Sequence, residues 1–317
     1  MEGNRPGESI LGYNHSNIAR MIVNSITIGR YEPQVAVATA TCKIRTDLTS
    51  TVNKHTSVFV FEEISQNTLV NFKRFYPGFE CMTKHFLLRN LQNEKVFRHY
   101  TICNAMIPEV YKMYIHILKD FDPRKSLVQT KEDRSDDFSK LISLLSMKDQ
   151  NCMNLCIKNY NTQTGVSEKV HRGSVMQSDM TYELKGPLGK GLLPKPTGVH
   201  IAFAAGTGAL CFVDLVAHLI QANLGILADV NNQSKIFEAQ EVEDYIEDGA
   251  TCQLDKFQFH LYVSYPNREE SIALELFEAL NNFCQRCGLN NFELFVRMPK
   301  ENLNAARWDN AFIKQEL

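Results

Sequence analysis

Several things are scarce in this 317-residue chain, and each scarcity excludes something. Charge of one sign is not in excess: 34 Lys and Arg stand against 36 Asp and Glu, a formal net charge of −2. No segment gathers basic residues with interleaved aromatics, so there is no electrostatic footprint for nucleic acid or an anionic membrane. The start, "MEGNRPGESILGYNHSN", lacks the basic and apolar regions of a signal peptide and the Arg-rich pattern of a transit peptide. The nine cysteines have no framework spacing, which suits a reducing compartment. One C-x-x-C pair exists, Cys284 and Cys287, but no second pair completes a four-ligand zinc site, so it reads as ordinary thiols at a helix end. An unbroken apolar run of spanning length is missing too. The most apolar stretch, "HIAFAAGTGALCFVDLVAHLI" (200–220), is interrupted by Gly206, Gly208, Asp214 and His218, whereas a spanning helix needs about 20 predominantly apolar residues.

What is present falls into two textures. The first half carries short strand-like runs separated by turn residues: "AVATATCKI" (36–44), "TSVFVFEE" (56–63), "KHFLLRN" (84–90), "VFRHYTIC" (96–103) and "VYKMYIHIL" (110–118). These predict an antiparallel sheet or barrel with no long helix between its strands. From about 121 to 160 the sequence turns polar and charged, with "LISLLSMK" as a short helical run; this reads as an exposed, partly mobile insertion. In the second half strand and helix alternate. "VHIAFAA" (199–205) is a buried strand, followed by a helix to about 222 with Phe212, Leu215, Val216 and Leu219 on one face. "FQFHLYVSY" (257–265) is a second strand, "EESIALELFEALNNFCQRC" (269–287) a helix, and "NFELFVRM" a last strand. That alternation predicts a mostly parallel sheet with helices on its faces. The expected organisation is an extension over 1–36, a barrel over 37–195 with its insertion, and an α/β domain over 196–317, joined through "KGPLGKGLLPKPTG" (185–198).

Three motifs carry chemistry. In "AGTGA" (205–209), Gly206, Thr207 and Gly208 lie between a strand and a helix, where backbone N–H groups can approach a phosphate; a tight turn needing glycine for conformation alone fits equally well. In "RHYT", Arg98 and Tyr100 share one strand face, and His99 and Thr101 the other. Arg98 can pair with a phosphate and Tyr100 can offer a ring for stacking, or both can be ordinary surface residues of a barrel. In "QTGVS" (163–167), Gly165 and Ser167 can place N–H groups and a hydroxyl on a phosphate, and the glycines of "ELKGPLGKG" (183–191) serve the same end or merely a loop.

The order of these pieces, R-x-Y-T, a G…S turn, G-P-x-G, then strand–GTG–helix, resembles the ferredoxin–NADP reductase superfamily, nearest its NADH–cytochrome b5 reductase and nitrate reductase branch. The resemblance spans roughly 45–317 apart from the insertion; "YPGF" (76–79) and "VSYPNREESI" (263–272) also take part. It implies a six-stranded barrel holding FAD and an α/β domain holding NADH or NADPH. Arg98 would then contact the flavin pyrophosphate, Tyr100 would pack on the isoalloxazine, and Thr101 would hydrogen-bond near its reactive nitrogen. Gly165 and Ser167 would lie at the pyrophosphate, and Gly206, Thr207 and Gly208 would cradle the nicotinamide nucleotide. Electrons would pass from NAD(P)H through flavin to a haem protein or other one-electron acceptor. "GYNHSNIARMIVNSITIG" (12–29) resembles the closing half of a cytochrome b5 domain, with His15 at a haem-ligand position; the other half is missing, Arg5 stands where its ligand would be, and no haem site is expected from this chain alone.

The sequence departs from the family at three places. Cys211 occupies the proline position after G-T-G, the turn before Ser167 is one residue short, and Arg297 and Met298 stand in place of the cysteine and glycine of a terminal C-G-P. A degenerate subunit with a structural or assembly role in a larger complex, its nicotinamide site inactive, is therefore the alternative expectation. The expected setting is intracellular, in the cytosol or the mitochondrion, soluble or peripherally attached to a membrane complex.

Overall fold

The computed structural model describes residues 38–65, 82–92, 97–146, 152–160, 165–176, 180–192, 194–227, 229, 253–302, 308 and 312–314. The cytochrome b5-like tail with His15 and Arg5, and the "YPGF" segment, lie outside the described residues.

Six antiparallel strands build the first sheet: β1 (Ala38–Asn53), β2 (Thr56–Glu63), β3 (His85–Asn90), β4 (Phe97–Thr101), β5 (Cys152–Lys158) and β6 (Tyr182–Leu188), in the order β4-β3-β6-β1-β2-β5. β1 serves two neighbours, pairing with β6 through its first residues and with β2 beyond them; irregularities after Arg45 and Thr51 bend it. The sheet curls until its two edges touch, where Ile102 just past β4 forms an isolated bridge with Leu155 of β5. The alternation of β2 explains the curl: Phe59 and Phe61 point into the barrel with Phe86, Leu88, Tyr182 and Leu184, while Val58 on the other face joins a second core. Helix α4 (Val166–Met176) contributes Val166 and Val170 to the barrel interior.

Between β4 and β5 the chain departs from expectation. Residues 110–118 are not a strand but part of helix α1 (Pro108–Lys119). The β-branched and aromatic residues suggest a strand, yet four of the five buried ones, Val110, Tyr114, Ile117 and Leu118, recur at helical spacing, with Ile115 beside them. Pro108 sits where a missing N–H costs nothing, and Glu109 and Lys119 suit the helix dipole. The stretch 121–160 carries regular elements, although most of its described residues before 146 are exposed or half-buried. It forms α2 (Leu127–Asp133), capped by Ser126 Oγ accepting from Gln129 N–H, then α3 (Ser135–Ser146) with Phe138 and Leu141 buried, then β5. Most of its charges face outward, while Arg134 is largely buried and paired with Asp137 at 2.7 Å.

The second sheet is parallel: β7 (Gly198–Ala205), β8 (Phe257–Ser264) and β9 (Phe292–Arg297), in that order. Helix α5 (Val213–Asn223) follows β7 through a 3-10 segment, Gly206–Phe212, and α6 (Leu274–Cys287) joins β8 to β9. The barrel followed by a parallel sheet with helices is thus the predicted architecture. The two sheets do not have separate interiors on the helical side. One apolar core takes in Val58 and Cys156 of the barrel, α1, α3, α5, α6 and the inner face of the parallel sheet. Arg286 of α6 clamps this arrangement by donating to the carbonyls of Leu118, Lys119 and Phe121 at the end of α1.

The other face of the parallel sheet carries an in-register aromatic ladder, Phe203, Tyr262 and Phe295. Its ring centroids are 4.7 and 4.2 Å apart, and Trp308 and Phe312 pack edge-on to Tyr262. Among the described residues no helix is long and apolar enough to cross a membrane.

Candidate functional site

The carboxyl ends of the three parallel strands align, with Ala205, Ser264 and Arg297 in register. In open α/β sheets this edge is where ligands bind, and here the chain leaves it through G-T-G. Gly206 has φ +53°, a left-handed conformation that favours glycine. A Cβ built on either Gly206 or Gly208 would meet nothing within 4 Å, so the space over the loop is open. Steric crowding by the described atoms does not account for glycine at 208.

Barrel residues converge on the same loop. Thr101, the last residue of β4, shares a hydrogen bond of 3.7 Å between its Oγ1 and Cys211 Sγ. Cys103 donates from Sγ to the Thr101 carbonyl (3.4 Å) and lies 3.8 Å from that of Leu210. Asp214, in the first turn of α5, accepts from the backbone N–H of Ala105 at 3.0 Å. Tyr160, just beyond β5, shares a 3.2 Å hydrogen bond between its hydroxyl and Thr207 Oγ1. Cys211 therefore ties the loop to the R-x-Y-T strand.

Burial pushes the Cys211 thiol above its ordinary range, partly offset by the Thr101 hydrogen bond. Cys103 is raised further, first by burial and then by Cys156 and Asp214. Both are protonated thiols at neutral pH, unlike reactive cysteines, whose pKa is lowered.

The remaining predicted residues divide. Arg98 is exposed on β4, opposite Leu88, with Nη1 donating to the Phe97 carbonyl at 2.7 Å. Tyr100 pairs with Phe86 and packs partly against the barrel interior. Burial raises its hydroxyl pKa, Arg98 counteracts this, and neighbouring Tyr160 adds to it. Gly165 and Ser167 open α4: Gly165 accepts from Lys169 N–H, and Ser167 is buried in the first turn, with Val166 and Val170 beside it in the barrel interior. The contacts described join Thr101 and Thr207, through Cys211 and Tyr160, into one constellation; Gly165 and Ser167 stand at the plugged end of the barrel. Gln163 and Thr164 of the same motif lie outside the described residues.

The "GPLGKG" segment resolves differently. Gly186 is a strand residue whose added Cβ would lie 2.7 Å from Phe86 Cδ1, and at Gly189 (φ +86°) it would lie 3.0 Å from the His85 ring. These glycines are required by the barrel's own packing. Arg297 shares a sheet face with Phe295, and Met298 packs against the helical core. Arg268, in the "NREES" turn, is held in a two-pronged pair by Glu278 at 2.8 and 2.5 Å.

Tyr160 and Cys103 escaped sequence reasoning. Tyr160 lies two residues past the strand "CMNLCIK" and three before the "QTGVS" turn, but the polar texture of 121–160 hid that strand. Cys103, two residues past R-x-Y-T, sits next to the signal that marked Thr101.

No family model matches the chain, and no curated protein is matched. Among solved structures it is similar to the cytochrome b5 reductase domain of Ulva prolifera nitrate reductase: 12% identity, 90% of this chain and 82% of that one, TM-score 0.46. It is also similar to ferredoxin–NADP+ reductase from Plasmodium falciparum with 2′P-AMP, with 13% identity, 88% and 80% coverage and a TM-score of 0.44. A third is full-length CYP116B46 from Tepidiphilus thermophilus, with 12% identity and a TM-score of 0.45; the match takes in 88% of this chain but spans only 24% of that one.

Proposed function

We propose that this chain is an FAD-dependent oxidoreductase of the ferredoxin–NADP reductase superfamily, passing electrons from NADH or NADPH to a one-electron acceptor such as a haem protein. One observation carries the reading: the open glycine turn at the carboxyl end of β7 is met, within hydrogen-bond distance, by Tyr160 and by the R-x-Y-T strand through Cys211. A reductase needs the nucleotide loop and the flavin strand to meet in this way, because hydride transfer demands reacting atoms roughly 3–3.5 Å apart.

When bound, FAD supplies two-electron acceptance and one-electron release. The chain's own groups bind and orient. The Arg98 guanidinium would pair with the flavin pyrophosphate and the Tyr100 ring would lie along the isoalloxazine. Gly165 and Ser167 would contribute at the helix α4 end, and backbone N–H groups of Gly206, Thr207 and Gly208 would receive the nicotinamide nucleotide. Cys211 would hold the Thr101 hydroxyl in place beside the flavin. With Arg268 already engaged by Glu278, a 2′-phosphate there would have to displace a carboxylate, which favours NADH. The acceptor would be a protein partner, or another subunit of a larger complex.

The second reading, a degenerate structural or assembly subunit, draws on Arg297 at the end of β9 and Met298 just past it, which stand where the family has the cysteine and glycine of C-G-P. One measurement separates the two. The reductase reading expects a yellow protein, or one that turns yellow on FAD addition, bleached anaerobically by NADH faster than by NADPH. A colourless chain that refuses FAD overturns it, and a yellow chain that neither nucleotide bleaches supports the degenerate subunit.

A further inference from the structure

The side chain of Tyr160 is held in an unusual way. Its ring is 60% exposed, with the Lys158 ammonium 5.9 Å from its centroid, and its hydroxyl reaches from the barrel onto the middle residue of G-T-G. The loop it reaches continues as a seven-residue 3-10 segment, Gly206–Phe212. Such runs seldom exceed three or four residues, because their hydrogen-bond geometry is poorer than that of an α-helix, and longer ones mark hinges or strain. The glycines on either side of Thr207 face open space, so the Thr207 side chain adds a restraint to those that Thr101 and Cys103 place on Cys211 and Leu210.

We propose that Tyr160 is a latch on the nucleotide loop. With the Thr207 hydroxyl donating to Tyr160, it withholds the proton that an incoming dinucleotide pyrophosphate would accept, so the ligand gains that contact only once Tyr160 has let go. The proposal rests on the nucleotide reading of the loop given above, and it makes Tyr160 a positioning residue whose hydroxyl opposes binding. A ring lying in the crevice simply to hold the ligand would have the opposite effect when altered.

The test uses the full-length, FAD-treated chain, with ADP-ribose as the probe because it carries the pyrophosphate without nicotinamide. Tyr160→Phe keeps the exposed ring and removes the hydroxyl. A net hydrogen bond of ordinary strength corresponds to roughly a two- to tenfold change in an equilibrium constant. Tyr160→Phe is thus expected to bind ADP-ribose about threefold more tightly by calorimetry, and amides 206–212 are expected to exchange hydrogen faster without ligand. Binding by Tyr160→Phe alone would support the latch most strongly. Unchanged exchange overturns it, as does faster exchange with equal or weaker binding; in both cases wild-type binding leaves the nucleotide reading intact. If neither protein binds ADP-ribose at millimolar concentration, the nucleotide reading itself fails and the latch falls with it.

Discussion

Two glycine-rich segments, residues 185–191 and 205–209, look alike as sequence and serve opposite ends. In the first, Gly186 is glycine because Phe86 occupies the space its side chain would take, and Gly189 because its backbone is left-handed beside His85. In the second, Gly206 is left-handed as well, but nothing of the protein lies within 4 Å of a Cβ on Gly206 or Gly208. One segment is filled by the protein's own core; the other is kept open. Glycine content alone therefore marks a place where atoms come close without saying whose atoms they are.

The largest expected effect tests that contrast directly. Gly186→Ala drives a methyl into the Phe86 ring and should cost up to about 3 kcal/mol in urea unfolding, the usual range for overpacking a tight core. Gly208→Ala should leave unfolding within about 0.5 kcal/mol of wild type, as surface changes do, while weakening ADP-ribose binding. Equal losses of stability in the two variants would erase the distinction.

Next in size is a pH effect, because each segment has a neutral histidine nearby. Burial first, with His99 second, lowers His85 at Gly189 to about 4, and burial lowers His218, in the helix behind G-T-G, to about 4. Both folded values lie below the ordinary 6.5, so the unfolded chain binds more protons at acid pH. The stability they confer is complete above pH 6.5 and is lost as pH falls toward 4. For buried His218 the loss between pH 7 and pH 5 should be on the order of 2 kcal/mol. His218→Gln should flatten that part of a denaturation-versus-pH curve; an unchanged slope would mean other groups carry it.

Gly206→Ala should cost about 1 kcal/mol through backbone conformation alone, and Gly206→Asn less, since asparagine tolerates the left-handed region. Equal costs would point to a clash that the open space does not predict. The smallest effect is at Cys211. Cys211→Ser retains a partner for Thr101 and should unfold within about 0.5 kcal/mol of wild type, with Cys211→Val slightly worse. A serine variant as unstable as the valine one would show that the sulfur's packing, not its hydrogen bond, matters there.

The same contrast separates what the sequence made legible from what it did not. Strands β1 to β3, β7 and β8 could be read because they alternate or run apolar between turn residues, and α6 because its face repeats at helical spacing. Helix α1 was missed because Val110, Tyr111, Tyr114 and Ile115 favour a strand by residue type, while the periodicity that decides otherwise depends on the core α1 shares with α6. Strand β5 was hidden by the charged residues before it. At the site, Thr101 and the G-T-G glycines were visible as motifs, whereas their meeting through Cys211 and Tyr160 was not. The partners lie 110 and 47 residues apart, a separation that only the fold bridges.

The bridge between Ile102 and Leu155 has a consequence for motion. Among the described residues every other junction in the barrel is a ladder of several residue pairs, so this seam has the fewest backbone pairs. Thr101 lies immediately before it and Tyr160 a few residues beyond its far side. Opening there breaks a single bridge, so the strand ends that meet the G-T-G loop are expected to exchange their amide hydrogens before the rest of the cylinder, much as a cuff opens at its button.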